Sequence, residues 1–431
     1  MDRRKFLTAT AAALPLLHCS NQANEPTEEL AKTEQEASEL KLWGSRVITG
    51  ADWLAATDWR SLTGRKVGVV TNPTGVLSDK RHIVDAMVAS GQVNVVAVFG
   101  PEHGFRGTAQ AGGSEGEYTD PRTGLHVYDA YGISASKLAE FYRKAGVDTV
   151  VFDIADVGAR FYTYIWTLYT AMHAAVAAGA SVMVLDRPNP VGGQAFGPQL
   201  DPRFSSGVGR KPIVQQHGMT AGELARLYDA EFLPADAGGR VSNLEIVPVR
   251  GWRRRSTFHD TGLDWVPPSP NMPTPDTALV YPGNCLFEGT VLSEGRGTTR
   301  PFETIGAPNI DWRWAERLNE LGLRGIQFRE TYFVPTFSKF QGALCGGVQL
   351  HVTDRATFEP IKTVIAMLVS VKQLFPSVFA WRSDKFVDKL FGSDRLRTMI
   401  DAGASSNDVI DAWQAELSAF RKQRAPYLLY G

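Results

Sequence analysis

Four short runs of this chain are apolar at nearly every position, not at alternate positions. They are Val67–Val70, Val93–Phe99 (VNVVAVF), Thr149–Ile154 (TVVFDI) and Ser181–Asp186 (SVMVLD). A strand with one wet face alternates apolar and polar residues; a strand apolar on both sides must be covered on both faces. Helical patterns separate the runs. Ile83, Val84, Met87 and Val88 form one apolar face, with Ser78 or Asp79 as the expected cap and Gly91 as the stop. Ser136–Lys144 and the Ala-rich Thr167–Ala178 supply two more helices, and Thr220 with Glu223 forms a capping box for another. This alternation predicts an α/β fold: a Rossmann-like parallel sheet with helices on both faces, over residues 45–265.

The remainder reads differently. Residues 264–310 are dense in Pro and Gly, with few helical windows. Short strands are expected near Gly325–Thr331 and Gly347–Val352, and helices near Asp311–Leu321, Ala356–Leu374 and Asn407–Arg424. Residues 266–431 are therefore expected to form a smaller α+β C-terminal domain. The 45 Lys and Arg nearly balance the 46 Asp and Glu. A chain without a net field is a poor default partner for nucleic acid or anionic lipid surfaces.

The first 44 residues read as an address. Asp2-Arg3-Arg4-Lys5 precedes a short apolar stretch, Phe6–Leu17, so residues 1–19 resemble a twin-arginine secretion signal. Cys19 follows Leu16-Leu17-His18, which is similar to a lipoprotein box apart from His18, where a small residue is usual. Residues 20–44 are polar and suit a tether. The expected location is outside the cytoplasm, as a periplasmic protein or a lipoprotein anchored through Cys19. Three cysteines form no disulfide framework, and no CxxC pair is present.

Ligands of open parallel sheets bind at the carboxyl ends of the strands. Asn72 follows the first run. Glu102, His103 and Arg106 follow the second, within Gly100–Gly107. Asp153 and Asp156, then Arg160, Tyr162 and Tyr164, follow the third; Asp186, Arg187 and Asn189 follow the fourth. Each strand thus delivers polar groups to the same edge. Glu102, between Pro101 and His103 with glycines on either side, suits a positioned general acid or base. His217 precedes the capping box, and Glu294 and Arg296 lie in a Gly-rich stretch with Glu288 and Glu303. Gly112–Gly116 spells GxSxG, but no apolar strand precedes it, so Ser114 is a poor nucleophile candidate. No GxGxxG follows the first strand, and no HExxH occurs, so neither a dinucleotide cofactor nor a resident metal is expected.

Six ordered blocks carry a resemblance: GPEHGFRG (100–107), FDIxDVGARFYTYIWTL (152–168), LDRPNPVGG (185–193), QHGMTAGELA (216–225), SPNMPTPDTALVYPGNCLFEGTVLSEGRGTTRPFE (269–303) and SKFQGALCGGVQLHVTD (338–354). Together they resemble the exo-β-N-acetylmuramidase family of the NamZ type. The resemblance implies a Rossmann-like catalytic domain without a nucleotide, with the smaller C-terminal domain closing the cleft. It also implies an exo-acting glycosidase that releases terminal β-linked N-acetylmuramic acid from peptidoglycan fragments. Glu102 is then the acid or acid/base. The second carboxylate is Asp156, then Asp153, then Glu294, unless the substrate's acetamido carbonyl serves instead. Arg160, Arg296 or Arg106 would read the lactyl carboxylate of muramic acid. Asn72, Tyr162, Tyr164, Asn189 and His217 would contact sugar hydroxyls. Ala155 and Val291 depart from the expected Gln and Asn. The rival readings are a lipoprotein that binds the same saccharide without cutting it, and an esterase using Ser114 or a metal.

Overall fold

The computed structural model describes residues 46–431; the expected secretion signal, Cys19 and the expected tether lie outside the described residues. Seven strands form the main sheet: β1 (Lys66–Thr71), β2 (Asn94–Gly100), β3 (Tyr118–Thr119), β4 (His126–Asp129), β5 (Thr149–Asp153), β6 (Ser181–Leu185) and β9 (Leu244–Val247). Their order is β3-β4-β2-β1-β5-β6-β9. All neighbours pair in parallel except the short edge strand β3, which runs antiparallel to β4. The chain leaves β1 in one direction toward β2 and β4, then crosses to β5, β6 and β9 on the other side. The switch point therefore lies between β1 and β5, where a crevice opens at the strand ends.

The continuous apolarity of the strands has a direct cause. Val67, Val69, Val98, Val151, Met183 and Leu185 point to one face, where helices Gly50–Ala56 and Ile83–Ser90 cover them. Val70, Phe99, Val150, Phe152, Val182 and Val184 point to the other, under Ala135–Ala145, Tyr164–Ala178 and Ala221–Glu231. That second core continues without a break into the C-terminal part through Trp314, Val364, Leu368 and Phe420. There β10 (Thr304–Ala307), β12 (Cys345–Val352) and β11 (Ile326–Phe333) form an antiparallel sheet beside helix Pro360–Leu374. A two-stranded ribbon of β7 (Phe196–Gln199) and β8 (Val214–Gln216) completes the strands among the described residues.

Three local expectations change. Helix Ile83–Ser90 starts later than Ser78 or Asp79: His82 Nδ1 caps it by accepting from Val84 N at 3.2 Å, while Asp79 closes a turn on Arg81. The Pro- and Gly-dense stretch contains a helix, Pro275–Asn284, capped by Thr274. Proline is favoured at the first helical position because the N–H it lacks would have no partner there. The Asn407–Arg424 helix is two, Ser406–Asp411 and Gln414–Arg424.

Candidate active site

Glu102 sits in the turn that follows β2. His103 (φ 70°) and Gly104 (φ 86°) turn the chain sharply there. A Cβ on Gly104 would lie 2.1 Å from Glu115 Cγ, so the turn requires glycine. Glu115 was not among the expected site residues, yet it organises this loop. Its carboxylate accepts from the backbone N–H of Phe105, Arg106 and Thr108 and from the hydroxyls of Thr108 and Tyr118. Burial opposes the charge, but those donors hold the carboxyl below its ordinary range. Its sequence signal was the glycine-rich GGSEG stretch. Ser114 in that stretch donates to Asp129 at 2.5 Å, and among the described residues no histidine is hydrogen-bonded to it.

The result is a Glu102 carboxylate held at both oxygens. Oε1 accepts from Gly112 N at 2.8 Å, and Oε2 lies 2.6 Å from Thr163 Oγ1. An amide N–H can only donate, so Oε1 is committed as an acceptor. A hydroxyl can turn either way, so a proton carried by Glu102 resides on Oε2. Thr163 is the cap residue of helix Tyr164–Ala178.

Asp156 arrives from the loop after β5, on the other side of the switch point. Its Oδ2 accepts from Gly158 N at 2.8 Å and from His217 Nε2 at 3.2 Å. His217 Nδ1 accepts from Met219 N at 3.2 Å, which leaves the ring proton on Nε2. Asp156 Oδ1 is buried without a partner, and so is the hydroxyl of Tyr162. Burial raises the Tyr162 phenol well above its ordinary range, and Tyr164, Asp156 and Glu102 add to the shift. Tyr162 therefore stays a neutral donor among carboxylates. The Asn72 loop joins the group through Thr74, whose hydroxyl donates to Asn72 Oδ1 and accepts from Ala155 N. Asn72 Nδ2 makes no hydrogen bond of good geometry. Buried polar atoms are normally satisfied. The open valences of Asp156 Oδ1 and the Tyr162 hydroxyl, close to Glu102, suit a polar ligand.

A second wall comes from residues 288–296 and the segment carrying Lys339. Arg296 bridges Glu288 (2.5 Å) and Glu294 (3.2 Å), and Lys339 pairs with Glu294 at 2.8 Å. These residues line a cavity of about 620 Å³ with Val291, Phe340 and Arg382. Tyr281 links the walls: its ring lies 5.5 Å from that of Tyr162, and Tyr162 feels the charge of Arg296. Ala155 lines a narrower pocket of about 60 Å³ beside Asp156, with Thr74, Pro190 and Trp265.

Other expected site residues have different work. Asp153 is fully buried in a two-pronged ion pair with Arg187, at 2.5 and 2.9 Å, so its carboxylate faces no ligand, while Arg187 lines the narrower pocket beside Asp156. Asp186, also buried, accepts from Thr220, Tyr430, Gly222 N and Arg187 N. Arg160 is buried among backbone carbonyls: it donates to those of Pro198, Ile213 and Leu390, and desolvation pushes its guanidinium down to about 9. It joins the sheet domain to the C-terminal part and cannot reach a substrate carboxylate. Arg106 is clamped by Asp85 and Asp120, Asn189 by Met219 O and Val191 N, and Tyr164 donates to Pro268 O. His103 donates through Nδ1 to Ala109 O and shapes the loop. Glu294 has both oxygens engaged. Among the described residues, no group of three or more His, Cys, Asp or Glu could hold a metal ion.

Comparison with known proteins agrees with this architecture. The family models for the N-terminal and C-terminal parts of exo-β-N-acetylmuramidase NamZ match residues 67–276 and 279–430. The peptidoglycan β-N-acetylmuramidase NamZ of Bacillus subtilis strain 168 is 46% identical over 388 residues, covering 89% of this chain and 92% of that protein. Two DUF1343 family proteins of known structure from Bacteroides fragilis align with TM-scores of 0.82 and 0.71. They are 32% and 31% identical, over 90% and 89% of this chain and 99% of each of theirs. A Rossmann-like sheet with a smaller C-terminal domain, matched by the two family models over residues 67–276 and 279–430, makes this chain a member of the exo-β-N-acetylmuramidase NamZ family.

Proposed function

We propose that this protein is a glycoside hydrolase that releases terminal β-linked N-acetylmuramic acid from the non-reducing ends of peptidoglycan fragments. The observation that carries the reading is the convergence at the switch point. One glutamate is held at both carboxylate oxygens, and beside it Asp156 Oδ1 and the Tyr162 hydroxyl are buried without partners. Glu102 donates its proton to the glycosidic oxygen as the bond to the anomeric carbon breaks, and a water then adds to that carbon, the proton it loses replacing the one Glu102 gave. Asp156, locked by His217 and Gly158, places negative charge where the sugar ring turns cationic. Tyr162 supplies a neutral O–H to the ring substituents. With Arg160 and Arg106 committed elsewhere, Arg296 is the arginine that meets the lactyl carboxylate.

The direct test is incubation with para-nitrophenyl β-N-acetylmuramide and with the matching glucosaminide. Phenol release from the muramide alone is expected. Calorimetric binding without turnover would replace the enzyme with a saccharide-binding protein. The Arg3-Arg4 motif and Cys19 support export and a lipid anchor. Labelled palmitate should enter the wild-type chain and not Cys19→Ala; unlabelled wild type would remove the anchor from the account.

A further inference from the structure

The charges around the second wall do not yet suit an anionic sugar. Lys339 spends its three donors on Phe287 O, Leu292 O and Glu294. Glu294 is saturated by Lys339 and Arg296. Arg382, at the mouth, is paired with Asp384. With Glu288 and Glu294 both ionised, the two cations Arg296 and Lys339 are cancelled, and nothing is left to attract a carboxylate. Glu288 is the exception in the cluster. Its Oε1 meets Arg296, while its Oε2 takes no hydrogen bond from the described residues and is not sealed from the cavity that Glu288 lines.

We propose that Glu288 completes the subsite for the anionic 3-O substituent of the sugar by taking up one proton when the substrate binds. The lactyl carboxylate engages Arg296, and the neutral Glu288 donates the acquired proton, drawn from solvent, from Oε2 to that carboxylate. The cluster then carries one net positive charge against one incoming negative charge. This rests on the functional reading above and adds the means by which a muramide is told from a glucosaminide.

Every group facing Glu288 is consistent with that exchange. Burial raises its carboxyl, Arg296 and Lys339 oppose the rise, and Glu294 adds to it. Tyr281 and Cys285, packed beside it, are both raised by burial and stay neutral. Affinity for the muramide should fall by up to about tenfold per pH unit above the titration of free Glu288, because one proton enters with each ligand. Affinity for the uncharged glucosaminide should not depend on pH in that way.

The test is calorimetry of the Glu102→Gln protein, which binds without turnover, with para-nitrophenyl β-N-acetylmuramide at several pH values between 6 and 8. Repeating each titration in buffers of different ionisation enthalpy yields the protons taken up. Uptake rising toward one per muramide is expected, with none for the glucosaminide. Glu288→Gln in the same background should bind the muramide with no uptake. Equal uptake for both sugars, no uptake for the muramide, or unchanged uptake in Glu288→Gln would overturn the proposal. The muramide–glucosaminide contrast needs no change at position 288, so a misfolded Glu288 variant leaves it decisive. If the wild type hydrolyses the muramide yet binding moves no proton, this inference alone falls; if it hydrolyses nothing, the functional reading falls too.

Discussion

Asp186 offers a prediction whose size follows from the structure. Its side chain is fully buried, and burial raises the carboxyl to about 6 despite hydrogen bonds from Thr220, Tyr430 and Gly222. In the unfolded chain the value is near 3.8. The native state therefore binds this proton more tightly, and folding stability falls as pH rises through that interval. The difference of about 2 pH units corresponds to ~3 kcal/mol, fully developed above about pH 6. Asp186→Asn removes the titration with little change in shape. The amide oxygen still accepts from Gly222 N and Arg187 N, and the two hydroxyls can turn to accept from the new NH₂. Urea unfolding of both proteins from pH 4 to 7.5 gives the difference in stability at each pH. The wild type should lose ~3 kcal/mol relative to Asp186→Asn across that range. Parallel curves would show that Asp186 is not desolvated as described and would reopen its assignment as a scaffold residue.

Arg160→Ala should cost about 3–5 kcal/mol of stability, since three buried carbonyls lose a charged donor. Its effect on kcat/KM should be equal for muramide and glucosaminide; a selective loss on the muramide would return Arg160 to the substrate site. Tyr162→Phe should leave Tm unchanged or higher, because the deleted hydroxyl has no partner in the free protein. The same change should lower kcat/KM about tenfold, the worth of one hydrogen bond, and a full-rate variant would refute the contact. Asp156→Asn keeps the shape and should reduce kcat by about 10²-fold or more; wild-type turnover would point to the substrate's own acetamido group.

The sheet could be read from the sequence because strands covered on both faces leave an unmistakable pattern, as Val67–Val70 and Ser181–Asp186 do. The Thr220–Glu223 capping box was readable because both partners lie three residues apart. Strands β4 and β9 are short and partly polar, so their periodicity is weak. Helix Pro275–Asn284 was hidden by Pro275, which opens it, and by Pro282, which lies inside its last turn. At the site, the sequence placed the right loops on one edge but could not divide their charges into those facing a ligand and those facing each other. That division depends on distant pairings: Asp153 with Arg187, 34 residues on, and Arg160 with Leu390 O, 230 residues on. Glu102 stood out because its rigid turn is written locally in Pro101 and the glycines around it. Glu115 and Glu288 did not, because only the folded loops show that one is saturated and the other half-free.

The central claim is that Glu102 carries the proton given to the leaving oxygen, and Glu102→Gln tests it most directly. The glutamine oxygen still accepts from Gly112 N, and its amide can donate to Thr163, so the loop keeps its form but has no acidic proton to give. Steady-state turnover of the muramide should fall by at least about 10²-fold while Tm and muramide binding persist. Turnover at the wild-type rate by a folded Glu102→Gln protein would contradict the account.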